Sequence, residues 1–333
     1  MSWNVLITAR AANDAGRQAV ERLRQAGCQV AFTSPFGPYP AERLVDLLRG
    51  HDAVLASSDA YSAAVFSAAD LARLKVVSRW GVGTDSVDLA AATAAGVVVA
   101  YTPGLLDECV ADYAWALLCA VARGIHAGHA SMREGKWEVT WGHAIHGRTL
   151  GIVGCGRIGR AMARRAAGFG MRILGYDLHP TPEAERLGVR FVSLDELLAE
   201  SDFVSLHAAL TPSSRGLIGP RELARMKPTA YLVNTARGAM IDDEALLDAL
   251  EHRRLAGAAL DAFAAEPLPP DHPLRRCEHL LVTPHQAFNA VETGEQVSLV
   301  AATAIIDCMT GRRPQFVANP DVLSSPALRV RLA

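Results

Sequence analysis

One stretch near the middle of the chain, Thr149 to Asp177, constrains the fold more than any other. Its letters, TLGIVGCGRIGRAMARRAAGFGMRILGYD, give an apolar run, three glycines in G-x-G-x-x-G spacing (Gly154, Gly156 and Gly159), a segment of helical periodicity and a second apolar run. In a strand–turn–helix unit, the first glycine forms the tight turn, the second lets a pyrophosphate approach the backbone, and the third lets the helix pack closely on the strand. The stretch therefore predicts a βαβ unit that holds a dinucleotide on the free N–H groups at the start of its helix.

Asp177 indicates which dinucleotide is bound. It lies 18 residues after Gly159, close to the interval of about 20 residues expected for the acid that binds the ribose hydroxyls. Its carboxylate would repel a 2′-phosphate, so NAD is favoured over NADP. A solvated acid at a strand end is the alternative interpretation. The predicted cofactor residues of this stretch are Gly154, Gly156, Arg157, Ile158, Gly159 and Asp177.

Length and charge limit the class of protein. The chain has 333 residues, which favours two domains. A formal net charge of −2 without a long basic run offers nothing to nucleic acid. No charged leader with an apolar segment opens the chain, and no apolar run reaches the roughly 18 residues that span a bilayer, so we expect a cytoplasmic protein that does not enter a membrane. The scattered cysteines and histidines predict neither disulfides nor a metal site.

Apolar runs and segments of helical periodicity alternate on both sides of the glycine turn. This alternation predicts parallel sheets covered by helices, with a small α/β domain before the nucleotide unit. A last amphipathic helix, beginning at about Val291, is expected to return to that first domain. The predicted strands before the turn are Asn4 to Thr8, Gln29 to Phe32, Ala53 to Ala56, Leu74 to Ser78 and Val97 to Ala100.

A helix from Asp107 to about Arg123 is predicted, with Asp107 as its N-cap and Gly124 as its stop. Almost every side chain between Ala111 and Ala122 is apolar, and a helix that is apolar all round is expected to be buried on all sides. We expect it to connect the two domains and to contribute to a subunit interface.

Polar residues follow three later apolar strands. Arg237 comes after the run YLV, Glu266 after AAL and His285 after LLV. Because the carboxyl ends of parallel strands share one edge of the sheet, we expect these three side chains to converge near the pyrophosphate. A glycine-rich turn, Arg79 to Asp85, also follows a strand; either it binds a ligand or it is only a tight crossover.

Four motifs make the chain similar to a known family. The letters HGRTLGIVGCGRIG, MKPTAYLVNTARG, DAFAAEPLP and TPHQA resemble those of the NAD-dependent D-2-hydroxyacid dehydrogenases, in particular the phosphoglycerate dehydrogenase and hydroxypyruvate reductase branch. The resemblance covers about the whole chain. It implies two doubly wound α/β domains, a Rossmann NAD domain (102–290) inserted into a flavodoxin-like substrate-binding domain (1–101 and 291–333), and a homodimer.

The resemblance also implies roles for the three strand-end residues. Arg237 would grip the substrate carboxylate with two charge-assisted hydrogen bonds and polarise the C2 carbonyl. His285 would give a proton to the carbonyl oxygen during reduction and remove it during oxidation. Glu266 would orient the imidazole and favour its charged form.

Further contacts are implied by the same motifs. Asp261 would reach the nicotinamide carboxamide, and the backbone N–H groups of Val82 and Gly83 would bind the substrate carboxylate. Arg79 is a candidate phosphate contact. The chain departs from the family pattern at two places, with Ala209 in place of a proline and with the pair Asp85-Ser86. The resemblance therefore does not determine the shape of the cofactor rim or of the substrate loop. The remaining implied cofactor-lining residues are His207, Thr211 and Ala236.

The implied activity is hydride transfer between NAD(H) and C2 of a small D-2-hydroxy or 2-oxo acid of the glyoxylate, hydroxypyruvate or phosphoglycerate type. The neutral-then-acidic stretch Ala56 to Asp59 and the D-lactate dehydrogenase-like stretch His285 to Phe288 favour an uncharged substrate tail. Two alternatives stay open: a non-enzymatic, NAD-sensing corepressor-like protein, and a phosphite or formate dehydrogenase, to which the run Pro103 to Leu106 bears a faint likeness.

Overall fold

The computed structural model describes residues 2–332. The chain forms two compact units. The terminal unit contains the residues up to Leu106 together with those from Asn289 onward, and the central unit is Asp107–Phe288.

Strands and helices alternate throughout both units. The strands are β1 (Asn4–Ile7), β2 (Gln29–Phe32), β3 (Ala53–Ala56), β4 (Val76–Arg79), β5 (Val98–Ala100), β6 (Thr149–Val153), β7 (Arg172–Tyr176), β8 (Val189–Phe191), β9 (Phe203–Leu206), β10 (Tyr231–Asn234), β11 (Gly257–Leu260) and β12 (Leu280–Val282). The α-helices are α1 (Arg10–Ala15), α2 (Arg17–Gln25), α3 (Ala41–Leu48), α4 (Ala63–Ser67), α5 (Leu89–Ala94), α6 (Asp107–Ala122), α7 (Ile125–Arg133), α8 (Arg157–Gly168), α9 (Pro182–Glu185), α10 (Leu194–Glu200), α11 (Pro220–Arg225), α12 (Asp243–Glu251) and α13 (Val291–Met309).

The terminal unit is built on a parallel sheet. Over the part of the chain that the structure describes, its order is β2-β1-β3-β4-β5, which is the flavodoxin-like order. The helix α13 packs on α1, α2 and β4, and the Ser78 hydroxyl donates to the Ala301 carbonyl over 2.8 Å. Tyr61 and Phe66 belong to the core on the face that α3 and α4 cover.

The central unit is a doubly wound parallel sheet. Its order within residues 2–332 is β12-β11-β10-β9-β6-β7-β8, which is the Rossmann order with one added strand. The helices α10, α11 and α12 contribute leucines to one core cluster. The helices α6 and α8 contribute Leu118 and Met162 to the other. The predicted fold class of two doubly wound α/β domains is confirmed.

Several elements differ from the sequence-based expectations. The predicted helix Asp14 to Gln25 is two helices that meet at Gly16, where a Cβ would lie 2.4 Å from the Ala12 carbonyl and 2.7 Å from Ser298 Oγ. The helix α7 was not predicted. Asp107 is the first residue of α6 rather than its N-cap.

The expectation that α6 is buried on all sides is wrong for this chain. Asp112 and Ala116 are exposed and Trp115 is only partly buried, whereas Ala114 and Leu118 have no exposed surface. The helix packs against α7, α8, β10, β11 and β12. Its apolar composition therefore does not correspond to burial of every residue.

No helix among the described residues is both long and apolar enough to cross a membrane.

Asp202 ties together the amino ends of the central strands. Its carboxylate accepts hydrogen bonds from Thr149 N at 2.9 Å and from Lys227 Nζ at 2.8 Å, and its carbonyl accepts from Tyr231 N at 3.0 Å. Burial alone would raise the pKa of Asp202, but the bonds from Lys227 and Thr149 outweigh it and hold the pKa below its usual range. The ionised form of Asp202 therefore stabilises the fold.

We expect Asp202→Asn to lower the free energy of unfolding at pH 7 by about 1–2 kcal/mol, since one charge-assisted bond is lost. Because the pKa is lowered on folding, this contribution is present above the unfolded pKa of about 3.9 and disappears as the pH falls through the folded value. Urea titrations from pH 7 to pH 2.5 would measure the convergence of variant and wild type. Asp195→Asn, at an exposed ion pair with Arg221, is the control with little effect. A pH-independent difference for Asp202→Asn would contradict this account.

Candidate active site

The glycine turn has the geometry that a pyrophosphate requires. Gly154 has φ +92°, and a Cβ there would lie 2.4 Å from Ala208 N. A Cβ on Gly159 would lie 2.1 Å from the Gly154 carbonyl, so only glycine lets α8 approach the turn this closely. Around Gly156, in contrast, a Cβ would meet nothing within 4 Å. This position borders open space at the start of α8, where an anion can contact free N–H groups.

Asp177 follows β7 and is linked directly to the glycine turn. One carboxylate oxygen accepts from Cys155 N at 2.7 Å and the other from His179 N at 2.8 Å. Two N–H donors hold the carboxylate in one orientation at the end of the strand. The oxygens still have lone pairs that can accept from ribose hydroxyls, so the residue fits NAD.

The ends of four neighbouring strands line up beside this turn. The ladder pairs Leu206 with Asn234, Asn234 with Leu260, and Leu260 with Val282. The next residue of each strand therefore falls on one row along the carboxyl edge of the sheet. That row is His207, Thr235, Asp261 and Thr283.

Two members of this row have buried polar atoms that fit a bound ligand. Among the described residues, His207 Nδ1 and Thr235 Oγ1 have no hydrogen-bond partner. The other His207 nitrogen lies 2.8 Å from Ser205 Oγ, and burial lowers the pKa of His207 to about 3, so its imidazole is neutral. Buried polar atoms are normally paired, and a nucleotide bound along this edge would supply the missing partners.

His285 and Glu266 form a hydrogen-bonded pair. Their Nδ1 and Oε2 atoms are 2.6 Å apart, and the side chains are 27% and 29% exposed. The other Glu266 oxygen accepts from Phe263 N at 2.8 Å. Burial would raise the pKa of Glu266, but the bond and charge of His285, the Phe263 N–H and the charge of Arg237 together lower it. Nδ1 is thus occupied, which leaves Nε2 as the nitrogen that can exchange a proton with a ligand.

The loop that carries His285 is held by Asp261. His285 has φ +51°, a left-handed conformation that is costly outside glycine. The fully buried Asp261 carboxylate accepts from Thr283 Oγ1 at 2.6 Å, from Gln286 N at 3.0 Å and from Ala287 N at 2.7 Å. Burial raises the pKa of Asp261 although these bonds oppose it. The three bonds enclose His285 and fix its backbone.

Two aromatic residues complete the surroundings of this loop. Gln286 Nε2 donates to Tyr113 Oη over 2.7 Å, which joins the loop to α6. The Phe288 ring meets the His285 imidazole edge-on, with centroids 5.7 Å apart. The imidazole is therefore oriented by Glu266 and Phe288 together.

Arg237 follows β10 in extended conformation and is partly buried. Its Nη1 donates to the Ala236 carbonyl over 2.8 Å, and its charge lowers the pKa of Glu266. The expectation that Arg237, Glu266 and His285 lie at the same edge of the sheet agrees with these contacts. Their chemical roles remain predictions.

The other expected cofactor residues occupy loops at this edge. Arg157 is exposed and Ile158 partly buried at the start of α8. Thr211 Oγ1 lies 2.9 Å from Ser213 Oγ, and Ala236 N donates to Asn234 Oδ1 over 2.9 Å. Sequence reasoning did not single out Ser205, Asn234 or Thr283, although each lies in or directly after an apolar strand and two residues before a residue that was singled out.

The expected substrate residues Arg79, Val82 and Gly83 belong to the terminal unit. The buried Arg79 donates to Ser58 Oγ over 2.9 Å and also to the Trp80 carbonyl. Gly81 N donates to Thr102 Oγ1 over 2.9 Å, which closes the turn, and Val82 is 41% exposed. Arg79 is the last residue of β4, and Val82 and Gly83 follow it at the carboxyl edge of the smaller sheet.

Asp59, which sequence reasoning did not single out as a site residue, is fully buried at the same edge. It accepts from Thr8 Oγ1 at 2.5 Å, from Tyr39 N at 3.0 Å and from Ser57 N at 3.2 Å. Burial raises the pKa of Asp59, while these bonds and the charge of Arg79 oppose the rise. The carboxyl edge of the terminal unit thus holds a cation and a buried acid.

A Rossmann sheet with this glycine turn, this acid and an imidazole–carboxylate pair at the same edge defines a nicotinamide-dependent oxidoreductase. Comparison with known proteins names the family. The profile of the D-isomer specific 2-hydroxyacid dehydrogenase, NAD binding domain, matches residues 115–287.

Individual relatives agree with that match. A glyoxylate reductase of Korarchaeum cryptofilum is 44% identical over 84% of this chain and 86% of its own. The crystal structure of the TT0316 protein from Thermus thermophilus is 39% identical, with a TM-score of 0.86 over 95% of this chain and 99% of its own. The D-lactate dehydrogenase of Escherichia coli, in its apo structure, is 29% identical, with a TM-score of 0.84 over 96% and 100%.

The chain belongs to the D-isomer-specific 2-hydroxyacid dehydrogenase family. It is an NAD-linked oxidoreductase that acts on the CH–OH group of a 2-hydroxy acid or on the corresponding 2-oxo acid.

The glycine turn generates a prediction that separates binding from folding. We expect Gly156→Ala to leave stability nearly unchanged, because its Cβ meets no protein atom within 4 Å, and to weaken NADH binding by about 1–3 kcal/mol, because the methyl group enters the pyrophosphate space. Fluorescence titration with NADH and thermal unfolding would measure the two effects.

Two matched glycines serve as controls. Gly159→Ala should destabilise the fold, because its Cβ would strike the Gly154 carbonyl. Gly168→Ala, with nothing within 4 Å at the end of α8, should alter neither property markedly. Unchanged NADH affinity in Gly156→Ala would show that the pyrophosphate binds elsewhere.

Proposed function

We propose that this protein is an NADH-dependent reductase of small 2-oxo acids with an uncharged tail, with glyoxylate as the first candidate and hydroxypyruvate and pyruvate next. The observation that carries the proposal is the Glu266–His285 pair, joined over 2.6 Å at the edge that also holds Arg237 and the glycine turn. The relative from Korarchaeum cryptofilum, named a glyoxylate reductase, supports the substrate.

Arg237 binds the substrate carboxylate in this proposal. A guanidinium offers two parallel donors that match a carboxylate, which a lysine cannot reproduce. The same charge lies close enough to polarise the adjacent C2 carbonyl. It also helps to keep Glu266 ionised.

His285 supplies the proton. Its Nδ1 is committed to Glu266, so Nε2 donates to the carbonyl oxygen as C2 is reduced and takes the proton back in the oxidative direction. Glu266 stabilises the imidazolium and keeps the ring in one orientation. The bound nicotinamide supplies the hydride that C2 receives.

We infer that the NAD domain corresponds to residues 102–290, and that residues 1–101 and 291–333 form the substrate-binding domain that contributes Arg79, Val82 and Gly83. Arg79 already donates to Ser58 Oγ and to the Trp80 carbonyl, which supports a substrate with an uncharged tail rather than a phosphorylated one.

Asp177 is the basis for selecting NAD over NADP in this proposal. Its fixed carboxylate would repel a 2′-phosphate. We also propose a cytoplasmic location, because the cysteines in the described part of the chain are all free thiols, as expected in a reducing compartment. Cell fractionation that found the protein outside the cytoplasm would reject it.

Purified protein is expected to oxidise NADH with glyoxylate, hydroxypyruvate or pyruvate. With NADH, kcat/KM should be higher for these acids than for 3-phosphohydroxypyruvate. With the same acid, kcat/KM should be higher when NADH is the cofactor than when NADPH is.

His285→Ala should lose at least about 10²-fold in kcat, the usual share of general acid catalysis. Its NADH affinity should be retained. Glu266→Gln keeps the shape of the side chain but not its charge, so its kcat should lie between that of the wild type and that of His285→Ala.

Steady-state kinetics with a panel of 2-oxo acids, run with NADH and with NADPH, measures kcat and kcat/KM for the wild type and both variants. Preference for the phosphorylated acid would reject the uncharged-tail assignment. Near-normal kcat in His285→Ala would reject the proton-donor role.

We further propose that the active form is a homodimer. Three apolar residues in the segment after α7 are strongly exposed: Trp137 by 83%, Val139 by 78% and Trp141 by 98%. Met132, within α7, is 56% exposed. An apolar surface of this kind is typical of a protein interface.

Light scattering should report a dimer for the wild type at micromolar concentration. The double variant Trp137→Ser with Trp141→Ser should shift the mass towards the monomer, because two large apolar contacts are lost. Leu178→Ser, at a residue 69% exposed in the same unit, is the control that should stay dimeric. A monomeric wild type would refute the proposal.

A further inference from the structure

Asn234 is a buried amide that no step of the proposed chemistry uses. It is the last residue of β10, an interior strand paired with β9 and β11, and it has no exposed surface. A buried amide that lacks hydrogen bonds destabilises a fold, so the partners of Asn234 decide its effect on this strand end.

The Asn234 side chain bridges the loop that leads to Arg237. Its Oδ1 accepts from Ala236 N over 2.9 Å, and its Nδ2 donates to the Arg237 carbonyl over 2.9 Å. These partners determine the orientation of the amide, because the Ala236 N–H must face its oxygen and the Arg237 carbonyl must face its NH₂ group. The two bonds fix both ends of the segment from which the guanidinium extends.

The neighbouring backbone restrains the same loop from the other side. Met240 N donates to the Arg237 carbonyl over 3.2 Å. A Cβ on Gly238 would lie 1.9 Å from the Phe263 carbonyl carbon, so the loop lies directly on the segment that also carries Glu266. A shift of the Arg237 backbone therefore changes its distance from the Glu266–His285 pair.

We propose that Asn234 is a positioning residue, whose two side-chain hydrogen bonds hold Arg237 in the orientation that binds the substrate carboxylate. The inference rests on the proposed function, in which Arg237 makes that contact. It concerns a residue that touches neither substrate nor cofactor in the proposed mechanism and acts through Arg237.

Asparagine is the residue that meets both requirements at this site. Leucine has nearly the same shape and offers neither hydrogen bond. Ionised aspartate keeps the acceptor for Ala236 N but places a carboxylate oxygen against the Arg237 carbonyl, which repels it. A protonated aspartate restores a donor towards that carbonyl. Leucine at position 234 therefore lacks both hydrogen bonds at every pH, whereas aspartate lacks the donor only when it is ionised.

The test is a double-mutant cycle on Asn234→Leu and Arg237→Ala, measured as kcat/KM with whichever 2-oxo acid the wild type reduces fastest. Asn234→Leu alone should lower kcat/KM by about 10- to 100-fold, the cost of a displaced binding group. In the Arg237→Ala background it should have almost no further effect, because the group that it positions is gone. NADH affinity should also fall, but by less than kcat/KM, because Ala236, an expected cofactor-lining residue, loses its acceptor as well.

Asn234→Asp provides a second measurement that does not depend on how well the leucine variant folds. A neutral aspartic acid can donate to the Arg237 carbonyl, whereas the carboxylate cannot. The ratio of kcat/KM in this variant to that in the wild type should therefore rise as the pH falls. A purely structural defect would leave that ratio flat.

Asn319→Leu is the matched control. Asn319 is also a buried amide that bridges two backbone groups, Val99 N at 2.9 Å and the Val97 carbonyl at 3.0 Å, in the terminal unit. It should lower stability without lowering kcat/KM. Equal losses for Asn319→Leu and Asn234→Leu, additive losses in the cycle, or a flat pH ratio would each overturn the proposal. A wild type inactive on glyoxylate but active on another 2-oxo acid would reject only the substrate assignment.

Discussion

Neighbouring parallel strands that end at the same level are the constraint on which this site depends. Leu206, Asn234, Leu260 and Val282 pair across the ladder, so the residues that follow them must emerge side by side at one edge of the sheet. Parallel strands are joined by crossovers that return to the opposite edge. The loops that leave these strands therefore all begin at the carboxyl edge, and each loop brings one functional group to that edge.

The loops at this edge are shaped by buried polar side chains rather than by their own backbone preferences. Asp261 holds the left-handed turn at His285 with bonds to two amides and one hydroxyl. Asn234 holds the loop of Arg237 through one acceptor and one donor. Each bond contributes only about 1 kcal/mol in net terms, yet each excludes the alternative loop conformations that would move a reacting group by an ångström.

Local patterns predicted much of this arrangement. The glycine spacing, the acid at the end of β7 and the apolar runs before Arg237, Glu266 and His285 were visible in the chain, because strands and tight turns depend on neighbouring residues. The partial exposure of α6 was not visible in the chain, because an apolar sequence predicts burial but does not identify the surface that covers the helix. The break at Gly16 was also hidden, because it depends on Ser298, a residue far away in the sequence.

By itself, the sequence determined the fold class, the nucleotide turn and the identity of the residues at each strand end, because periodicity and glycine spacing act over a few residues. Only the tertiary structure decided which of those residues meet. The Glu266–His285 bond and the contacts of Asp261 join residues from different loops, and whether such atoms come within about 3 Å of each other depends on strand register and packing. Asn234 shows the same division: its letter was visible, but its role follows from a geometry that no local pattern contains.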